Sequence, residues 1–229
     1  MSRHFLAALG ILGAGLACGP AVDDNGQPPE MPSGLRPRRT DPTPSPYATV
    51  WKSFRPGPGA GYGQDQLPQV VFGPPAPSGD AAPSLDVLSL GAGGELVLGF
   101  GEVVIKDGPG PDFVVFENPF WVKGDPSQPY AELAEVQVSV DGERWESFAC
   151  DRVGDGRGQF PGCAGWRPTM GFDPWAAPLD PSSSGGDPFD LAELGLGEVR
   201  YVKLIDLDGD PEAGPTAGFD LDAIGVVHD

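Results

Sequence analysis

The sequence predicts an all-β protein, a two-sheet, jelly-roll-like β-sandwich with long Gly/Pro-rich loops. Apolar residues alternate with polar ones over short runs, the period of a half-buried strand. Turn residues separate these runs, and 35 Gly with 28 Pro would break most helices. Only the segments 130–134 and 191–194 suit a short turn of helix. Many short strands joined by Gly/Pro turns pack as a sandwich or barrel, because each half-apolar sheet must cover its face with another.

Taken in order, strands are expected at 69–72, 84–90, 96–100, 103–105, 113–117, 136–140, 199–205 and 219–227. Leu96, Leu98 and Phe100 alternate with Val97 and Gly99. Val136, Val138 and Val140 alternate with Gln137 and Ser139, and Asp141-Gly142 supplies a hairpin turn towards Arg144-Trp145-Glu146.

Ahead of these strands the chain reads as an export segment, 1–17, followed by a spacer, 18–46. Arg3 is a positive start, and an uncharged apolar run extends from Phe5 to Ala17. That length suits a signal segment of roughly 7–15 apolar residues and falls short of the ~20 that span a bilayer. Gly15-Leu16-Ala17-Cys18 resembles a lipobox, in which Cys18 would be lipidated after cleavage. Gly15 stands where a lipobox usually has Leu, so an ordinary cleaved signal and a retained anchor stay open as alternatives. Gly19, rather than Asp, after the cysteine favours sorting to an outer membrane in a diderm. The spacer carries eight prolines and almost no large apolar residue, so it cannot bury enough surface to offset ordering entropy. It is expected to be an extended, disordered tether. From Tyr47 the chain continues as one β-sandwich domain, 47–229, with no composition break.

Thirty-three acids against 14 Lys and Arg repel nucleic acid, whose binding needs a basic face. Of three cysteines, Cys18 belongs to the lipobox. Cys150 and Cys163 flank a Gly-rich stretch and in an oxidising compartment suggest a disulfide.

Four blocks together resemble a group of bacterial secreted proteins known as cell surface proteins. They are Pro56-Gly57-Pro58-Gly59-Ala60-Gly61-Tyr62-Gly63, Ser84-Leu85-Asp86-Val87-Leu88-Ser89-Leu90-Gly91, Asp107-Gly108-Pro109-Gly110-Pro111-Asp112-Phe113-Val114-Val115-Phe116-Glu117-Asn118 and Gly218-Phe219-Asp220-Leu221-Asp222-Ala223-Ile224. The resemblance runs from about Phe54 to His228 and implies a surface location and a β-sandwich. It implies no reaction.

The strongest chemical pattern is acid clustered in turns. Asp107, Asp112, Glu117 and Asn118 surround a Gly/Pro turn, and Asp220 and Asp222 lie two apart on an expected strand, so both face one way. Ca²⁺ takes roughly six to eight oxygen ligands, mostly carboxylates and carbonyls, which such turns supply. These six residues are therefore candidate ligands of a structural Ca²⁺. Asp206, Asp208 and Asp210 form a second candidate set, although Gly209 and Ala217 do not fit an EF-hand loop. The competing reading is that such acids cap turns by accepting backbone N–H bonds.

Catalysis is not expected. The mature chain has one histidine, His228, near the end of the sequence, where a mobile residue is expected. Gly57 to Gly63 lacks the Lys-Ser/Thr of a phosphate cradle. A carboxylate pair such as Glu117 with Asp222 fits glycoside hydrolysis by residue type, but acids are so abundant here that such pairs mean little. Binding is the better class: Trp51, Tyr62, Trp121, Tyr130, Trp166 and Trp175 fall mainly in expected loops, where aromatics stack on sugar rings or plug the sandwich ends. Trp121 and Tyr130 are the candidate ligand-binding residues. The expectation is a lipid-anchored binding or adhesion module with a carbohydrate or matrix ligand, and a purely structural envelope protein is the alternative.

Overall fold

The computed structural model describes residues 44–76, 84–171, 173, 179–207, 209–210, 212 and 214–229. The chain divides into units Met1–Ser33 and Gly34–Asp229, and every described residue belongs to the second. Segment 1–17, Cys18 and most of 18–46 lie outside the described residues, as do Asp208 and Trp175. No helix among the described residues is long and apolar enough to cross a membrane.

Two antiparallel sheets form the sandwich. The larger runs in the order β1 (Val50–Arg55), β3 (Glu95–Gly99), β13 (Tyr201–Asp206), β8 (Ala134–Ser139), β10 (Cys163–Ala164), and β9 (Glu146–Ser147) also pairs with β8. The smaller runs β11 (Asp187–Phe189), β5 (Phe113–Glu117), β14 (Asp220–Val226), β2 (Leu88–Ser89). Two ribbons stand apart: β4 (Ile105–Lys106) with β12 (Glu198–Val199), and β6 (Phe120–Trp121) with β7 (Pro129–Tyr130). The single α-helix among the described residues, α1 (Pro181–Ser184), is one turn capped by the Asp180 carboxylate.

Alternation decides which face is buried. In β8, Ala134, Val136 and Val138 are buried while Glu135 and Gln137 are partly exposed; in β13, Val202 and Leu204 are buried while Tyr201 and Lys203 are not. The larger sheet thus keeps one wet face. In contrast β5 and β14 are buried throughout. Phe113, Val115, Leu221, Ile224 and Val226 enter the core between the sheets, whereas Val114, Phe116 and Ala223 meet Tyr47 and Leu179 on the other side. This is why FVVF and LDAIGV read as near-continuous apolar runs. Within the main core the Phe113 and Phe189 rings stack at 5.2 Å, and Phe148 packs edge-on against both. Each such side chain stabilises by roughly 1.5–3 kcal/mol through burial.

The disulfide Cys150–Cys163 is present, closing a loop between residues 13 apart in sequence. The expected strand 113–117 coincides with β5, and the expected hairpin brings Glu146 opposite Val138. Other boundaries differ. Segment 69–72 holds a 3₁₀ turn, Gln69–Val71, rather than a strand; Val70 and Val71 are buried, and so short an apolar run does not distinguish the two. Segment 130–134 is not helical: Tyr130 ends β7, paired with Phe120, and Ala134 opens β8. Residues 191–194 do form a 3₁₀ helix, capped by Asp190.

Candidate functional site

Strand β5 carries carboxylates at both ends. At its start the Asp107-Gly108-Pro109-Gly110-Pro111-Asp112 turn brings one oxygen each of Asp107, Asp112 and Asp190 within 4.8 Å of one another. Asp112 is fully buried; its Oδ1 accepts the Gly108 N–H at 2.8 Å and its Oδ2 the Leu191 N–H at 2.7 Å. Burial raises its pKa, the two N–H bonds oppose the rise, and the Asp190 and Asp107 charges add to it. Asp190 also accepts from Ala192 N at 2.9 Å. Three carboxylates converging beside Gly-rich carbonyls could hold a metal ion, and oxygen-only donors suit a hard cation. His228 closes this end: its N–H and that of Val227 donate to the Asp112 carbonyl, and a Cβ on Gly108 would fall 2.5 Å from its ring. The expected mobile residue thus has a paired backbone.

The far end of β5 is a different place. Asp112 and Glu117 are five residues apart along extended chain, roughly 17 Å, so no single ion reaches both. The expected six-residue set therefore divides. Asp107 and Asp112 stay together and gain Asp190, while Glu117, Asn118 and Asp220 gather at the other end and gain Asp187.

At that second end the acids are buried. Glu117 is 2% exposed, Asp187 1% and Asp220 7%. The Asp220 carboxylate bonds the Ser89 hydroxyl and the Asn118 amide, and Asn118 Nδ2 also donates to the Ser84 carbonyl at 2.9 Å. Asp187 Oδ2 accepts the Gly165 and Trp166 N–H groups at 2.7 and 3.2 Å. Gly165 is required there: its φ is 100°, and a Cβ would lie 2.0 Å from the Glu132 carbonyl. Glu117 Oε2 and Asp187 Oδ1 have no hydrogen-bond partner among the described residues. Burial pushes Asp187 and Asp220 up to about 7, against the pull of their hydrogen bonds. Burial also drives Glu117 well above the carboxylate range, and the Asp220, Glu132 and Asp187 charges push the same way.

The remaining predicted ligands go elsewhere. A register shift between Leu221 and Ala223 interrupts the alternation of β14 at Asp222. Both Asp222 oxygens accept the Ala76 N–H, whereas Asp220 bonds Ser89 and Asn118, so the two carboxylates have different hydrogen-bond partners. In the second candidate set, Asp206 accepts N–H bonds from Phe219, Gly93 and Gly209, and Asp210 accepts from Glu212. These two hold turns.

The aromatic candidates divide as well. In the β6–β7 ribbon the Phe120 and Tyr130 rings stack at 5.2 Å and 17°, Tyr130 is 53% exposed, and Trp121 is half-buried beside them. Trp51 lies in β1 rather than a loop and is 46% exposed. Trp166 donates its Nε1–H to the Cys163 carbonyl, and the ammonium of Lys203 sits 4.0 Å over the Trp145 ring. Sequence reasoning missed Asp187 and Asp190. Gly185-Gly186-Asp187-Pro188 looks like a turn, and only its pairing with β5 turns Asp187 inward.

Fold and sites together define an all-β sandwich with carboxylates at both ends of one internal strand and an aromatic ribbon just beyond it. No protein-family model matches the chain, and no curated protein matches it either.

Proposed function

We propose that the chain is an exported lipoprotein, held through Cys18 at an outer membrane or cell surface, whose β-sandwich is a displayed binding or adhesion module. The lipobox-like Gly15-Leu16-Ala17-Cys18, the Pro-rich spacer and the cell-surface-type blocks support the address. The β6–β7 ribbon carries the binding reading. Tyr130 is more than half exposed, yet its ring is held in place by Phe120. A pre-positioned aromatic face loses little entropy when a sugar ring stacks on it, so the ligand class is carbohydrate or matrix polysaccharide. Trp121 and Tyr130 make the contact. Calcium at the Asp107–Asp112–Asp190 cluster ties the β5 turn to the Asp190 cap and stabilises the module.

Glycan-array binding by the full chain tests this. Binding to at least one glycan that Tyr130→Ala abolishes supports it; an array without binding removes the sugar ligand. Half-buried Trp145, under the Lys203 ammonium, and half-buried Trp166, tied to the Cys163 carbonyl, favour a second reading, a structural envelope protein in which aromatics only fill space. A carboxylate hydrolase is disfavoured, since Glu117 and Asp222 are 2% and 0% exposed and meet no polysaccharide.

A further inference from the structure

We infer that Glu117 and Asp187 together hold a second divalent cation, calcium by the hardness of the donors, buried between the two sheets. This site is separate from the surface cluster at Asp107, Asp112 and Asp190. It rests on register, burial and unmet bonding.

Register comes first. Asp187 pairs with Val115 and Phe189 with Phe113, so Glu117 is the diagonal neighbour of Asp187 across the β11–β5 pair. Phe113, Val115 and Phe189 belong to the core between the sheets, and alternation puts Glu117 and Asp187 on that same face. Diagonal neighbours sit roughly 7–8 Å apart, within reach of each other's long side chains. A Ca²⁺ with oxygen ligands at about 2.3–2.6 Å bridges carboxylates at such a spacing. Asp187 also bonds Gly165 and Trp166, just beyond β10 of the opposite sheet, so the site joins both layers.

Bonding comes second. Each of the two carboxylates leaves one oxygen unpartnered although both residues are at least 98% buried. Buried polar atoms are almost always satisfied, because an unmet one costs about 1–3 kcal/mol and more when charged. The charged groups that act on Glu117 are Asp220, Glu132 and Asp187, all acidic, and the Asn118 N–H bonds its carboxylate. The charge of Arg167 acts on Asp187, whose Oδ1 stays unpartnered. A cation satisfies both oxygens at once and cancels the repulsion among these acids. Two carboxylates with neutral oxygens completing the shell correspond to the weak end of calcium sites, about 10⁻⁴–10⁻³ M, typical of extracellular modules.

Terbium, a calcium-sized ion whose emission is excited by nearby indoles, reads this site through Trp166. Titration of the full chain with Tb³⁺ at pH 8 is expected to give sensitised emission that Ca²⁺ displaces. Glu117→Gln and Asp187→Asn each weaken Tb³⁺ at least tenfold, whereas Asp190→Asn leaves this emission in place. Trp166→Phe keeps both carboxylates, extinguishes the emission and leaves calcium affinity by calorimetry unchanged, which covers the case of acid variants that do not fold. Emission that persists in Trp166→Phe, or that Glu117→Gln and Asp187→Asn leave unaltered, overturns the site. Loss of emission only in Asp190→Asn overturns it too, and assigns the ion to the surface cluster.

Discussion

Asp187 lies diagonally across from Glu117 on the inner face of the β11–β5 pair, and each keeps one carboxylate oxygen without a hydrogen-bond partner among the described residues. The sandwich therefore contains two acids in a place where apolar packing would be cheaper. Buried ionised groups are costly unless paired. Their presence has consequences for stability that depend on metal and on pH.

Glu117→Gln is expected to have opposite effects with and without calcium. In EGTA above neutral pH, folding requires Glu117 either to stay ionised among buried acids or to take up a proton; the neutral isostere avoids that cost and stabilises by about 1–2 kcal/mol. In calcium about 100-fold above the dissociation constant, where binding contributes about 2.7 kcal/mol to the parent, the same variant is the less stable of the two, because the ion loses a ligand. Chemical denaturation of both proteins in both buffers measures the crossover. A variant less stable in both buffers shows that Glu117 has a hydrogen-bonding role instead.

The pH dependence has a definite sign in the chelated protein. Asp187 and Asp220 titrate near 7 when folded and near 4 when unfolded, so the folded state binds more protons between these values. Their contribution is present below about pH 4 and is lost as pH rises through 7. Glu117 acts in the same direction, and the charge of Asp206 adds to the shift of Asp220. Asp125, Asp141 and Asp180, held low by hydrogen bonds within their own turns, act oppositely and lose their contribution only in stronger acid. Melts in EGTA are thus expected to peak near pH 5 and to fall towards pH 8. A midpoint that rises from pH 5 to 8 without metal contradicts this.

Asp206 gathers three backbone N–H groups from Gly93, Gly209 and Phe219. Asp206→Ala leaves them unmet at the junction of β13 and β14 and should cost about 3–4 kcal/mol. Gly218→Ala should cost a comparable amount: φ there is 75°, and the new Cβ would stand 2.5 Å from Asp206 Oδ1. Urea denaturation measures both, and a loss under about 1 kcal/mol would show that the clamp is dispensable.

Replacing Cys150 and Cys163 together by serine should cost roughly 3 kcal/mol, the loop-closure value for a ring of this size. The readout is the denaturation midpoint under non-reducing conditions. Strand order should survive, since the main core does not depend on that loop.

Sequence pattern made the strands legible where one face is wet or both are dry. The alternation in 136–140 and the apolar run 113–117 reflect β8 and β5 directly. The acid-rich turn before β5 was legible as an oxygen-donor site, since Asp107 and Asp112 do converge. What sequence could not give was long-range pairing. Asp187 and Asp190 lie 70 and 73 residues beyond the end of β5, and nothing local announces that they meet its opposite ends. The shift at Asp222 was hidden for a related reason: an interrupted register depends on the partner strand, and perfect alternation was the only guide available.

Calcium dependence of the melting midpoint tests the central claim, a sandwich stabilised by cations at its acid clusters, most directly. At pH 8, calcium about 100-fold above the dissociation constant contributes about 2.7 kcal/mol by linkage. For a domain of this size the midpoint of the full chain should rise by roughly 5–10 °C over that in EGTA. The same midpoint in both buffers contradicts it.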